Sequence, residues 1–192
     1  MNNIKDSIRT LFNLSEEEVN IFLSEFTKEE RKKNEVFIAE GEVCHKVGLI
    51  ENGLMMCVYN KDGNEIIEEF AFENGFITNY YSYLTFKPSE KEIRCVEDTT
   101  VHVITRQSLD KLGNDYPFIR DMARQMNEML FLRNHDRVKS LLLHSPVERY
   151  LQLIDQRKDL AQRIPQYLIA SHLGVTPETI SRIRNKISTG HY

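Results

Sequence analysis

Residues 164–187 read Ile-Pro-Gln-Tyr-Leu-Ile-Ala-Ser-His-Leu-Gly-Val-Thr-Pro-Glu-Thr-Ile-Ser-Arg-Ile-Arg-Asn-Lys-Ile. In the second half of this run Glu178, Ser181, Arg182 and Asn185 recur at three- and four-residue intervals, which on a helix gathers them on one face. A carboxylate, a hydroxyl, a guanidinium and an amide so gathered offer both donors and acceptors from one edge. An arginine fork can bond O6 and N7 of guanine together, and a glutamate can accept from N4 of cytosine. Thr176, Ser181 and Lys186 suit phosphate oxygens, which fix register without reading sequence. Arg184 lies nearby. The chemistry on offer is recognition of base edges.

The flanking residues have to position that set. Ala170 is small where a second helix would cross, and Gly174 supplies the left-handed conformation that stops the first helix sharply. Val175 plugs the turn, while Ile169, Leu173, Ile180 and Ile183 supply the inner faces of both helices. Thr176 caps the second helix and Pro177 suits its first position. This is the spacing of a DNA-binding helix-turn-helix. The plainer alternative, a helical hairpin with a solvated face, requires all these features to coincide by chance with an arginine-bearing helix.

Charge supports a separate C-terminal module. Net charge over the 192 residues is −4, yet residues 1–130 carry 15 Lys+Arg against 24 Asp+Glu, and residues 131–192 carry 10 against 5. Uneven surface charge alone would also give such a reversal. Ser145-Pro146 opens a helix before the motif, with Val147, Tyr150, Leu151 and Ile154 on its apolar side.

Upstream, Asn114-Asp115-Tyr116-Pro117 reads as the start of a helix continuing to Leu143. Its stripe, Ile119, Met122, Met126 and Met129, widened by Leu130, has the three-four spacing of a coiled-coil seam. The stripe packs either on the chain's own body or on a twin, and the length favours a dimer. From Glu35 to Thr105 short apolar or alternating runs are separated by turn signals, including Asp62-Gly63. These runs, Val36–Ala39, Val47–Ile50, Leu54–Tyr59, Ile66–Phe72, Ile93–Val96 and Val101–Ile104, imply an antiparallel roll, barrel or sandwich. The first stretch, to about Lys33, reads as helix, with a capping box at Ser15 and Glu18.

Composition excludes other classes. Hydrophobic residues make up 41% and charged residues 28%, an ordinary globular balance. No apolar run approaches the roughly 20 residues of a membrane span. The N-terminus lacks a secretory apolar stretch, and three scattered cysteines make no disulfide framework. A cytoplasmic location is expected.

A roll, a long helix and a C-terminal Glu178-Thr179-Ile180-Ser181-Arg182 helix together resemble the Crp–Fnr family of bacterial transcription regulators. The resemblance covers nearly the whole chain in module order and is concentrated in residues 164–187. It implies that Glu178, Ser181 and Arg182 contact bases. Pro177, standing where the cyclic-AMP receptor branch has another arginine, makes the likeness Fnr-like and implies TTGA-type half-sites in an inverted repeat read by a symmetric dimer. Only Ser188 to Tyr192 follow the helix, so the family's β-hairpin wing is expected to be missing or nearly so.

In the family's cyclic-nucleotide binders a Gly-Glu pair holds ribose and an Arg-Ser or Arg-Thr pair holds phosphate. Here Thr78-Asn79 and Ser89-Glu90 fall at those places, and only Arg94 or Lys87 is at hand to substitute. Cyclic AMP is not expected, because phosphate recognition depends on arginine geometry. Thr78, Asn79, Tyr80, Tyr81 and Arg94 are the candidates for some other effector pocket, although the aromatic run 79–83, flanked by Phe76 and Phe86, equally suits core and a helix cap. No metal site or other cofactor is expected: residues 1–40 lack the cysteines of iron–sulfur sensors, and Cys44-His45 has no partners at ligand spacing.

An enzyme is disfavoured, since neither a His-x-His pair nor a Gly-x-Ser-x-Gly elbow is present. The expected architecture is α+β: an N-terminal β-roll or jelly-roll sensor over residues 1–113, a dimerisation helix and hinge over 114–143, and a helix-turn-helix domain over 144–192. The expected partners are double-stranded DNA, a second copy and RNA polymerase, without a membrane. The competing function is a cyclic-nucleotide-binding module that signals through a protein partner.

Overall fold

The computed structural model describes residues 2–188. Two helices open the chain, α1 (Asn2–Phe12) and α2 (Glu16–Ser24). The Ser15 hydroxyl accepts from the Glu18 amide and the Glu18 carboxylate accepts from the Ser15 amide, closing the capping box that starts α2. Eight strands follow within residues 27–105: β1 (Thr27–Arg31), β2 (Val36–Ile38), β3 (Lys46–Asn52), β4 (Met55–Lys61), β5 (Asn64–Ala71), β6 (Phe76–Ile77), β7 (Glu92–Cys95) and β8 (Thr99–Thr105). A short helix α3 (Tyr80–Thr85) separates β6 from β7. The C-terminal half comprises α4 (Arg106–Asp115), α5 (Pro117–Leu143), α6 (Pro146–Gln156), α7 (Leu160–Arg163), α8 (Gln166–Leu173) and α9 (Pro177–Ser188).

The strands form two four-stranded sheets, ordered β1-β8-β3-β6 and β2-β7-β4-β5. Pairing is antiparallel, with Gly48 opposite both Val103 and Ile77, and Met55 opposite Cys95. Phe37, Ile38, Met55, Cys57, Ile93 and Cys95 from one sheet meet Ile50, Ile77, Val101 and Val103 from the other in a single buried cluster. Gly48 permits this approach: a Cβ there would stand 2.9 Å from methyl carbons of Ile77 and Val101 and 3.1 Å from the Phe37 ring. Asp62 and Gly63 both take positive φ, the backbone of a two-residue hairpin turn. Ile4, Ile8, Phe12, Val19 and Phe22 are buried, and the Phe12 and Phe22 rings lie edge-on or tilted to Phe76 of β6. Cys44, Cys57 and Cys95 are buried thiols outside any disulfide.

Two segments depart from the sequence reading. Residues 27–31, expected within the first helical stretch, form β1 on the edge of a sheet, in register with Thr99–Val103. An edge strand tolerates the polar sequence Thr-Lys-Glu-Glu-Arg because one side of it stays in water. Residues 106–113, to which the sequence pattern assigns no element, form α4 together with Asn114 and Asp115, capped by the Thr105 hydroxyl on the Ser108 amide. Asn114-Asp115 therefore close α4 instead of capping the long helix, and Pro117 alone marks the first position of α5.

Helix α5 has 27 residues and a length of about 40 Å. Ile119 and Met122 are 4% and 5% exposed, so the chain itself covers them, whereas Met126 and Met129 are half-buried. Phe131, Leu132, Val138 and Leu141–Leu143 are exposed. The chain divides into two compact units, Met1–Asn60 with Glu68–Glu128 and Lys61–Ile67 with Met129–Tyr192. Among the described residues no helix is long and apolar enough to cross a membrane.

One ionic cluster in the first unit sets an acid limit. Lys28 Nζ and His102 Nε2 lie 2.8 and 2.9 Å from the same Glu51 oxygen. The Lys28 hydrogen bond, opposed by burial and reinforced by His102, holds the Glu51 carboxyl at about 2, below its ordinary 4.5. A lowered carboxyl stabilises the fold above its unfolded value and loses that contribution as pH falls through 4.5 toward 2. Glu51→Gln should therefore be less stable than the parent near neutrality, and the difference should shrink as pH falls to about 3. Urea unfolding at the two pH values measures this; a constant difference would overturn the role given to Glu51.

Candidate nucleic-acid interface

Helices α8 and α9 are joined by a turn built on Gly174, at φ +66° and ψ +37°. The Val175 amide bonds the Ala170 carbonyl at 3.0 Å and the Gly174 amide bonds that of Ser171 at 3.1 Å, the paired closure of a Schellman end. Leu168, Ile169, Ala170 and Leu173 are buried on α8, as are Ile180 and Ile183 on α9. Tyr150 of α6, Leu160 of α7 and Ile164 are buried in the same unit. Gln166 Nε2 donates to the Pro177 carbonyl at 2.8 Å, tying the start of α8 to the start of α9.

With Ile180 and Ile183 turned inward, the 100° step of the helix turns Glu178, Ser181, Arg182 and Asn185 outward together, with Lys186 and Arg184 on the two flanks. Thr176 and all six of these residues are exposed. The seven expected residues thus share one short helix and its cap. The Glu178 carboxyl is held below the usual range by the amide at its own helix start and then by the Thr176 hydroxyl, so it is an ionised acceptor at neutral pH.

Thr179 is a participant that the sequence reading left out. Its amide donates to the Thr176 hydroxyl at 3.3 Å, and Arg182 Nη2 donates to its own hydroxyl at 3.2 Å. The residue three positions after an N-cap faces that cap, and this spacing was the available signal. Arg149 of α6 was also missed: its Nη1 donates to His144 O at 2.8 Å and its Nη2 to Leu173 O at 2.9 Å. The wing expectation falls on residues beyond Ser188, outside the described part.

The residues offered for an effector pocket do different work in the first unit. Asn79 is 3% exposed and caps α3, accepting from the Ser82 amide at 3.2 Å while its amide donates to Ser89 Oγ. Thr78 Oγ1 donates to Lys46 O at 2.9 Å. The Tyr80 hydroxyl donates to Asn127 of α5, and Tyr81 is exposed. Arg94 on β7 lies 3.3 Å from Glu92. A separate open groove of about 900 Å³, lined among others by His45, Lys46, Phe86 and Arg106, contains none of these five residues. Arg106 stacks on the Phe86 ring at 4.1 Å there. Among the described residues no group of three or more His, Cys, Asp or Glu is placed to hold a metal ion.

The turn gives a direct stability test. A Cβ at Gly174 would meet nothing within 4 Å, so the cost of substitution is confined to the backbone conformation. Gly174→Ala should lose about 1–2 kcal/mol and Gly174→Asn less, because asparagine tolerates the left-handed region. Urea unfolding of the two variants measures the order; equal losses would place the cost elsewhere.

The sequence matches no family model and no curated protein. Solved structures do match. FixK2 from Bradyrhizobium japonicum is 21% identical, with a TM-score of 0.74 over 86% of each chain. The c-di-GMP responsive global regulator CLP from Xanthomonas campestris is 13% identical, with a TM-score of 0.71 over 92% of this chain and 93% of that one. Thermus thermophilus catabolite activator protein is 20% identical, with a TM-score of 0.60 over 94% and 87%. The chain has the fold of these proteins.

Proposed function

We propose that the chain is a transcription regulator, not an enzyme, that binds DNA sequence-specifically through α9. The observation that carries this reading is the outward face of α9, where an ionised glutamate, a serine, a tethered arginine and an asparagine stand together without a packing duty. Arg182 takes guanine, Glu178 takes cytosine N4, and Thr176, Ser181 and Lys186 hold phosphates, with Arg184 and Asn185 completing the contact set. The shared fold and the Fnr-like Glu-Thr-Ile-Ser-Arg sequence support TTGA-like half-sites in an inverted repeat.

An inverted repeat calls for a two-fold dimer that sets two recognition helices about one DNA turn, ~34 Å, apart. Helix α5 is the proposed seam. Since Ile119 and Met122 are covered within the chain, Met126, Met129 and the exposed apolar residues beyond them are what a twin would meet. The proposed division keeps a sensor over residues 1–113, a dimer helix and hinge over 114–143 and the DNA-binding domain over 144–192. RNA polymerase is the proposed further partner, in the cytoplasm. An effector of the roll acts by shifting the population with correctly spaced recognition helices, through the hinge near Arg137–His144. Cyclic AMP is not that effector in this reading, because Asn79 and Ser89, where ribose and phosphate holders would stand, are bonded to each other.

Selection of a random duplex library by the purified protein should enrich an inverted repeat with TTGA-like arms. Arg182→Ala should cost about 1–3 kcal/mol of specific binding and relax preference at one G·C pair. A variant that separates specific from scrambled duplexes as the parent does would remove Arg182 from base readout. In sedimentation the parent should run as a dimer, and a Met126→Glu, Met129→Glu variant should shift toward monomer and lose the inverted repeat. A monomeric parent would overturn the seam.

A further inference from the structure

Helices end with carbonyls that their own ladders leave over, and those ends carry partial negative charge. Arg149 spans two such ends at once. Its Nη1 reaches His144 O, one residue beyond the end of α5, and its Nη2 reaches Leu173 O, the last carbonyl of α8 before the Gly174 turn. Its Nε is buried without a hydrogen-bond partner among the described residues. The side chain thus gives up part of its hydration to hold these two carbonyls, at 2.8 and 2.9 Å. A guanidinium is a rigid planar fork, so both bonds persist only at one separation and orientation of the two helix ends. The His144 amide continues the α5 ladder onto Ser140 O at 3.0 Å, so the near end of the fork moves with the long helix. The far end moves with the turn, because the next two amides close the Schellman end that sets the entry of α9.

We infer that Arg149 is a positioning residue, a pin that fixes the direction of the recognition helix relative to the end of α5. This rests on the DNA-reading function proposed above and adds a residue that touches no base. In a dimer, the pin converts the placement of the long helices into the separation of the two recognition helices. Rotation of the turn about the end of α5 then breaks a part-buried, charge-assisted bond, so the angle between them is held and not averaged.

The chemistry separates this role from two simpler ones. If Arg149 only neutralised helix ends, lysine would replace it; if it only filled space, methionine would. The pin predicts that neither does. In the full-length protein, amide exchange of Gly174, Val175 and Thr179 should rise about tenfold or more in Arg149→Lys and in Arg149→Met, with Val101–Ile104 of β8 unchanged. On the selected repeat, the parent should bind far better than to the same arms moved apart by a base pair, and both variants should lose that preference by about tenfold. The salt dependence of binding should stay as in the parent, since no phosphate contact is removed. An Arg149→Lys protein with parental exchange and parental spacing preference overturns the pin. If the parent selects no repeat at all, the DNA-reading function fails, and the exchange comparison alone decides whether the fork holds the turn. If Arg149→Met does not fold, Arg149→Lys carries both measurements.

Discussion

Two helices can cross at backbone distance only where one offers a small side chain and the chain between them reverses abruptly. Ala170 supplies the first condition and Gly174, at φ +66°, the second. The rest of the C-terminal unit depends on that crossing. Once α9 lies against α8, Ile180 and Ile183 are committed to the inside, and burying each contributes about 1.5–3 kcal/mol. Exposed polar contacts on the other face are worth about 0–1 kcal/mol apiece. Packing therefore decides how α9 is rotated, and the outward set is whatever the helical period leaves over. Glu178, Ser181, Arg182 and Asn185 lie outside the buried faces of the crossing, so the packing of α9 does not fix their residue types.

The first unit follows the opposite logic. The buried polar residues around α3 are closed on one another, and side chains pack the space between the sheets. Gly48 lets the Phe37 ring reach across to the facing sheet, so the space between the sheets is taken by side chains. Asn79, Ser82 and Ser89 are buried polar residues, yet Asn79 bonds Ser89 and the Ser82 amide, and the Ser82 hydroxyl donates to Lys87 O at 2.6 Å. A buried polar group left waiting for a ligand costs more than one that is already paired. The arrangement stabilises the roll itself, and it sets Thr78 and Asn79 to structural tasks that a short-range reading of residue types cannot distinguish from ligand holding.

That contrast explains what was legible in the sequence. The helix-turn-helix was readable because each requirement falls within a few residues of the next: small Ala170, left-handed Gly174, capping Thr176, first-turn Pro177. The Ser15 capping box, the Ser145-Pro146 helix start and the Asp62-Gly63 turn were readable for the same reason. β1 was not, since Thr27–Arg31 carries no strand pattern and gains its structure from a partner about 70 residues away. α4 was hidden because Leu112 is its one fully buried residue, too little to make a stripe. The apolar stripe on α5 was half legible. Three-four spacing locates Ile119, Met122, Met126 and Met129 on one side, but spacing cannot say whether that side meets its own chain or another, and the chain covers the first two itself.

Charge was the weakest guide, for a reason the structure makes concrete. The excess of positive residues after residue 130 includes several whose charge is already engaged. Arg157 and Arg163 both lie on Asp159, at 3.1 and 3.0 Å, and Arg149 is held by two carbonyls. Such groups add to a count of basic residues without being available in full to a phosphate backbone. The affinity that comes from displaced counterions scales with phosphates contacted, not with formal charge. In the proposed function, arginines engaged in internal positioning weaken non-specific binding relative to their count, and the share of binding carried by the outward edge of α9 rises accordingly. Discrimination is then limited by how accurately that edge is presented, which returns the weight to the α8–α9 crossing and to whatever holds its turn in place.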